Sequence, residues 1–264
     1  MNELSLLLTR HLDTFLPAFA RLSGMLAWAP VLGHRSVPIP YRAALALTLA
    51  LVLTPLLPGP RPAPASREML GWALLLAGEA LVGLAIASVA QIVMGAADVA
   101  GEVIGFQMGL SAAAVFDPST GQHPGVVTRF EQILALLIFL AVNGHHLIIR
   151  AVASSFQRLT PGSVLEPAVT GGIAGLGGTV LQSGVALAAP LIGMLLVLNV
   201  ALALVARATP QAHVFIIGLP VSVGLGLLGL LHTVPHVSEV MAGLIGGLPA
   251  ILDRLFGGGI HGLR

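Results

Sequence analysis

Between Glu166 and Arg207 the chain carries no charged residue. A helix that crosses a bilayer needs about 20 predominantly apolar residues, so this stretch alone is long enough for one full span. Comparable runs recur along the sequence, separated by clusters of Pro, Gly and charge. The first, Leu12 to Leu32, carries Asp13, Pro17 and Arg21, and the second, Ala43 to Leu57, is short and closed by Pro55 and Pro58. The connector GHRSVPIPYR between them is rich in turn residues, and PGPRPAPASRE, from Pro58 to Glu68, reads as an exposed linker without regular structure. A third segment, Met69 to Ala97, contains Glu79 and Gln91; a weaker fourth runs from Asp98 to Phe116, and a fifth from Phe130 to Ile149. Beyond the charge-free stretch, a span is expected from Val214 to Leu231 and an amphipathic tail from Val237 to Phe256.

Composition agrees with the segments. Of the 264 residues, 56% are hydrophobic and 9% charged, and the mean hydropathy is +0.96, whereas soluble domains carry about 25% charged residues. The twelve basic residues are all arginine and nearly balance eleven acids, so there is no large basic surface to attract nucleic acid. With no cysteine, the chain has no disulfide framework, thiolate metal site or cysteine nucleophile. Eighteen prolines and thirty-two glycines predict helices that are short or broken, which membrane helices tolerate better than soluble ones. At the N-terminus, Glu3, Arg10, His11 and Asp13 argue against a cleavable signal peptide. Arginines fall in nearly every connector, so the charge asymmetry that orients spans cannot be read. Two causes fit equally: plain ambiguity in a lysine-free sequence, or hairpins buried in a protein assembly instead of facing lipid.

The weak fourth segment has a pattern of its own. Within GEVIGFQMGLSAAAVFDPSTG and just before it, Ala97, Gly101, Gly105, Gly109 and Ala113 form a row of small residues four apart, a seam that lets another helix approach closely. The adjacent row holds Asp98, Glu102, Phe106 and Leu110. Acids cost several kcal/mol at a bilayer centre, which points these two toward a wet cavity or a partner. Periodicity alone also permits an interfacial helix that ends at an exposed Asp117-Pro118 turn.

The run GEVIGFQMGLSAAAVFDPSTGQHPGVV, followed by FEQILALLIFLAVNGHHLIIRAVASSFQRLTPG, resembles the central region of the FliR family, the flagellar branch of the type III secretion export-gate proteins. The motifs that carry the resemblance are Gly105 to Ser111, the turn Asp117 to Gly121, the cluster Asn143 to His146, and Ser155 to Gly162, in that order. A further match spans Ala189 to Pro220 and includes Arg207, Pro210, Gln211, Val214 and Phe215. The resemblance covers essentially the whole chain, with His213 and Ser222 as departures to which no role is transferred.

The resemblance implies an all-α, polytopic membrane-type protein. Its helical hairpins would assemble with FliP and FliQ into an export gate in the bacterial inner membrane, at the flagellar basal body. FlhB and FlhA would be further partners, and unfolded flagellar subunits the cargo. It further implies a FliP-like part over residues 1–162 and a FliQ-like hairpin part with an amphipathic tail over 163–264. The inward loop of the family would plug the closed channel, and here it would comprise Phe106, Gln107, Met108, Gly109, Leu110, Ser111, Ala112, Ala113, Ala114, Val115 and Phe116. Glycine permits sharp backbone paths and methionine is flexible, which suits a plug that packs well yet leaves easily.

Other polar positions point to contacts instead of chemistry. Asp98, Glu102, Asn143, His145, His146, Arg207 and Gln211 are the candidate partner contacts. His145 and His146 are about 100° apart on a helix and lack the H-E-x-x-H arrangement of a zinc site. His232 and His236 are four apart, but Pro235 between them is expected to spoil the helix. Glu79, Gln91 and Asn199 lie inside apolar runs, where interhelical hydrogen bonding and a functional role both fit. No G-x-S-x-G, P-loop or dinucleotide fingerprint is present, so neither an enzyme nor a cofactor or metal site is expected. The export gate of a virulence injectisome and a secondary transporter with broken helices are the alternative functions; an intramembrane hydrolase is a more distant one.

Overall fold

The computed structural model of the chain describes residues 3–34, 36–57, 69–110, 125–159, 161–162, 167–208 and 214–257. Among these residues all regular structure is helical: α1 (Glu3–Trp28), α2 (Ile39–Leu53, extended by a 3-10 turn, Thr54–Leu56), α3 (Met69–Gln107), α4 (Val126–Ala141), α5 (Gly144–Arg158), α6 (Pro167–Ala208), α7 (Val214–Gly246) and α8 (Leu248–Gly257). Among the described residues four stretches are long and apolar enough to cross a membrane, Ile39–Leu56, Met69–Gln107, Gly171–Ala208 and Ile217–Phe256, and α4 with α5 adds a fifth if that bent pair is one span. The fold is therefore the all-α, polytopic membrane type that the apolar runs predict.

The helices are not short, and here the sequence-based expectation is corrected. The third and fourth segments are one helix, α3, of 39 residues, and α6 continues for 42. Helix α7 runs unbroken through Pro220 and Pro235, so Pro235 does not end the helix between His232 and His236. Proline removes one helical hydrogen bond, but breaking the helix in apolar surroundings would orphan several backbone groups, each costing several kcal/mol. Extending the helix is the cheaper outcome. The fifth segment does break: α4 and α5 meet at 63°, and Asn143, at φ 57°, takes the left-handed conformation at the corner, which asparagine tolerates better than most residues.

Two compact units interleave along the chain. The first comprises Met1–Ile92, Asn143–Leu176 and Ile245–Arg264, the second Val93–Val142 and Gly177–Leu244. The division at Gly162 that the resemblance implies concerns likeness to two other proteins and is a different partition from this one.

In the first unit α1 packs against α2 and crosses α3 so closely that a β-carbon on Gly24 would collide with the carbonyl of Ala80, and one on Gly83 with that of Arg21. Both contacts are backbone to side-chain-free backbone, which only glycine allows. Helix α8 packs on α5, burying Leu248, Leu252 and Phe256 at a four-residue spacing. At the rim Arg158 Nη1 donates to Asp253 Oδ1 at 2.5 Å.

In the second unit the end of α3 lies against α4, where a β-carbon on Gly101 would strike the Thr128 backbone. Gly184 of α6 faces the other side of α3, with the Ala96 carbonyl 2.8 Å from the position of an added β-carbon. Between α6 and α7, Gly229 receives the side chains of Leu191 and Met194.

Candidate functional site

Two places on α3 concentrate the polar and conformational features of the molecule, one in each unit. In the first, Arg21 of α1 and Glu79 of α3 form an ion pair, Nη2 to Oε2 at 2.6 Å, with side chains 0% and 1% exposed. Every group of this pair finds a partner. Arg21 Nε donates to Glu79 Oε2 at 2.7 Å, Nη1 to Ser155 Oγ at 2.8 Å and Nη2 to the Leu159 carbonyl at 3.2 Å. Ser155 in turn donates to the Val152 carbonyl, and the second Glu79 oxygen accepts from the Gly162 amide at 3.0 Å. The guanidinium lies 3.8 Å above the centre of the Phe156 ring, a cation–π contact. Buried charges persist only when paired and hydrogen-bonded, and this arrangement meets both conditions. Four of its groups, Ser155, Phe156, the Leu159 carbonyl and the Gly162 amide, come from the motif SFQRLTPG.

In the second place, α3 ends in a tight cap. Gly109 has φ +80°, in the left-handed region; its amide donates to the Phe106 carbonyl and that of Leu110 to the Gly105 carbonyl, both at 3.0 Å. This is the six-to-one, five-to-two pair of bonds that closes a helix on a glycine. Met108, the residue before that glycine, is 0% exposed. A β-carbon on Gly226 of α7 would lie 2.6 Å from its Cε and 2.7 Å from its Cγ and Sδ, so the absence of a side chain on Gly226 makes the room that Met108 fills. One turn-pair earlier on the same face of α7, Leu219 Cδ1 lies 3.0 Å from where Gly109 would carry a β-carbon. Ser222, between them, is buried.

The two rows of α3 part company in the structure. Ala97, Gly101 and Gly105 are buried, whereas Asp98, Glu102, Phe106 and Leu110 are exposed, Phe106 to 70%. Glu102 Oε1 accepts a hydrogen bond from Thr128 at 2.9 Å. Phe106 and Gln107 are the last residues of α3; Ser111, Ala112, Ala113, Ala114, Val115 and Phe116 of the expected plug lie outside the described residues, as does Gln211. Arg207 stands exposed at the end of α6. His145 and His146 place their ring centres 4.2 Å apart, His146 exposed and His145 half-buried. Among the described residues no group of three histidines or acids could hold a metal ion. Gln91 and Asn199 are exposed on their helices.

Two features were not legible as sites in the sequence. Arg21 and Glu79 were each visible as polar residues in apolar runs, but nothing marked them as partners across 58 positions; the glycines that flank the crossing, Gly24 and Gly83, were the signal available. Glu131 of α4 is 1% exposed, and among the described residues its Oε2 has no hydrogen-bond partner. An acid inside an apolar segment is the signal for it, and its place in the run FEQILALL made it inconspicuous.

The family described as "Bacterial export proteins, family 1" matches residues 12–248. The flagellar biosynthetic protein FliR of Escherichia coli strain K12 is 34% identical over 245 residues, covering 88% of this chain and 92% of its own. Its counterpart in Bacillus subtilis strain 168 is 33% identical over 221 residues, 82% of this chain and 84% of that one. That of Caulobacter vibrioides is 37% identical over 213 residues, 79% and 83%.

Proposed function

We propose, from the premise that this chain belongs to family 1 of the bacterial export proteins, that it forms with FliP and FliQ the gate through which unfolded flagellar subunits leave the cell. Its relatives are flagellar biosynthetic proteins, and its apolar helices make it a membrane protein, so a component of flagellar protein export is the coarse function on which this reading builds. The bacterial inner membrane at the flagellar basal body is the proposed location, and FlhB and FlhA are proposed further partners. The parts 1–162 and 163–264 are proposed to be FliP-like and FliQ-like.

The observation that carries the assembly is the length of the apolar helices. At 1.5 Å per residue, helix α3 with its 39 residues is about 58 Å long, against about 30 Å of hydrocarbon in a bilayer. Exposed apolar side chains stand at both ends of it, Met69, Leu70 and Leu74 at one and Phe106 at the other. Known spanning helices tilt by about 40° at most, which does not bring both ends into lipid. Helix α6, at 42 residues and with Leu181, Leu196, Val197 and Leu204 exposed, has the same excess. Protein helices of partner subunits would cover what lipid does not reach. The exposed acids Asp98 and Glu102, costly against lipid, call for a partner or a water-filled lumen as well.

The stretch Phe106 to Phe116 is proposed as the plug, with α3 as the stalk that delivers it and Asn143, His145, His146, Arg207 and Gln211 as partner contacts. Pull-down of the tagged chain from its own cells, with mass spectrometry of what copurifies, tests the assembly: FliP-like and FliQ-like proteins are expected, and a stable solitary monomer would overturn it. Shortening Gly109 to Ala114 tests the plug. Cells that assemble the complex but leak small ions are the expected result; unchanged impermeability counts against the plug.

A further inference from the structure

We propose that Met108 and Gly226 form a seat that fixes the C-terminal end of α3 to α7 and so sets where the plug stretch departs; this rests on the plug reading. The end of a 39-residue helix has no intrinsic reason to hold one position, because its last turn frays and its final carbonyls lack helical partners. Here a glycine cap and a buried side chain hold it. The chain turns at Gly109, whose φ of +80° is strained for any side-chain-bearing residue. The two capping bonds to Gly105 and Phe106 close off the helix one residue after Met108. Met108 itself is fully buried, with its Cγ, Sδ and Cε all within 2.7 Å of where a Gly226 β-carbon would stand, and Leu219 closes over Gly109 from the same face of α7.

The choice of residues makes the seat adjustable. A methionine on a glycine is held by many weak contacts and no directional bond, so it can leave and return without breaking a hydrogen bond or an ion pair. The role assigned to Met108 and Gly226 is positioning: neither needs to touch the exported chain. Any side chain at position 226 competes with Met108 for the same volume.

The natural chain lacks cysteine, which allows a direct test in the assembled complex in native membranes. The pair Met108→Cys with Gly226→Cys brings two β-carbons within the roughly 4 Å that a disulfide requires. Oxidation is expected to form the bond in most chains, seen by mass spectrometry and by loss of maleimide labelling at both positions. Two thiols that remain free and label fully would overturn the seat, while leaving the plug to be judged by the shortened loop alone. For function, Gly226→Val is expected to raise the ion leak of resting cells on the order of tenfold, the change that about 1.4 kcal/mol of lost seating produces. Adding Met108→Ala to Gly226→Val is expected to bring the leak back toward the natural level by returning the volume. Copurification of the partner proteins checks that each variant assembles, and Met108→Ala alone, which adds no bulk, serves if Gly226→Val does not assemble; it too should leak. A disulfide that forms, with a shortened loop that leaks but Gly226→Val and Met108→Ala that do not, would overturn the positioning role and spare the plug.

Discussion

The two ends of α3 are built by opposite rules. In its first half, glycines at positions 24 and 83 bring α1 and α3 together backbone on backbone, and a charged side chain from each helix is buried in the crossing with all partners supplied. At its last turn the same device, a glycine that makes room, admits a flexible side chain instead, and the charged row beside it stays exposed. Backbone atoms cannot step aside, and a buried carboxylate cannot lose its cation cheaply; a methionine can do the equivalent of both. The difference marks one end as a fixed joint and the other as a contact that can be remade.

The largest effect that would test this contrast lies in the buried pair. Arg21→Leu leaves Glu79 uncompensated and should destabilise the assembled protein by about 3–5 kcal/mol, read as loss of the complex in detergent titration. The double change Arg21→Met with Glu79→Leu should recover a large part of that loss; a double variant as damaged as the single one would show that the pair holds more than its own charges. Next comes Gly83→Ala, whose methyl group meets a carbonyl of α1 and should cost about 3 kcal/mol, the upper range for overpacking. Gly226→Ala meets only Met108, so the same substitution there should cost about 1 kcal/mol. Equal losses at positions 83 and 226 would erase the distinction between the two ends. Smallest is Asp253→Asn, which removes a pair whose side chains are 35% and 58% exposed and should shift stability by under about 0.5 kcal/mol.

Much of the fold was legible because hydropathy acts locally. The charge-free stretch after Glu166 became α6, with Pro167 as its first residue. The expected break at Pro235, and the division between the third and fourth segments, did not occur. Those breaks rested on rules calibrated where water can satisfy a freed carbonyl, and the apolar surroundings of these helices supply no such water. For the sites, a small-residue row and an acidic row followed from a four-residue spacing; on α3 Ala97, Gly101 and Gly105 are buried and Asp98 and Glu102 exposed, while Gly109 is half-buried and Ala113 lies outside the described residues. Arg21, Ser155 and Gly162 could not be joined to Glu79 in that way, since their contacts cross 58 to 134 positions.

What the sequence alone determined is therefore the helical, membrane-type class, the family, and the small and acidic rows near the end of α3, because all of these depend on neighbours within a turn or on the order of motifs. Only the tertiary structure decided that Glu79 meets Arg21 with Ser155, Phe156, Leu159 and Gly162 around them, and that Met108 rests on Gly226. Those pairings depend on how closely backbones approach, and that distance is set by which glycine of one helix finds which partner on another.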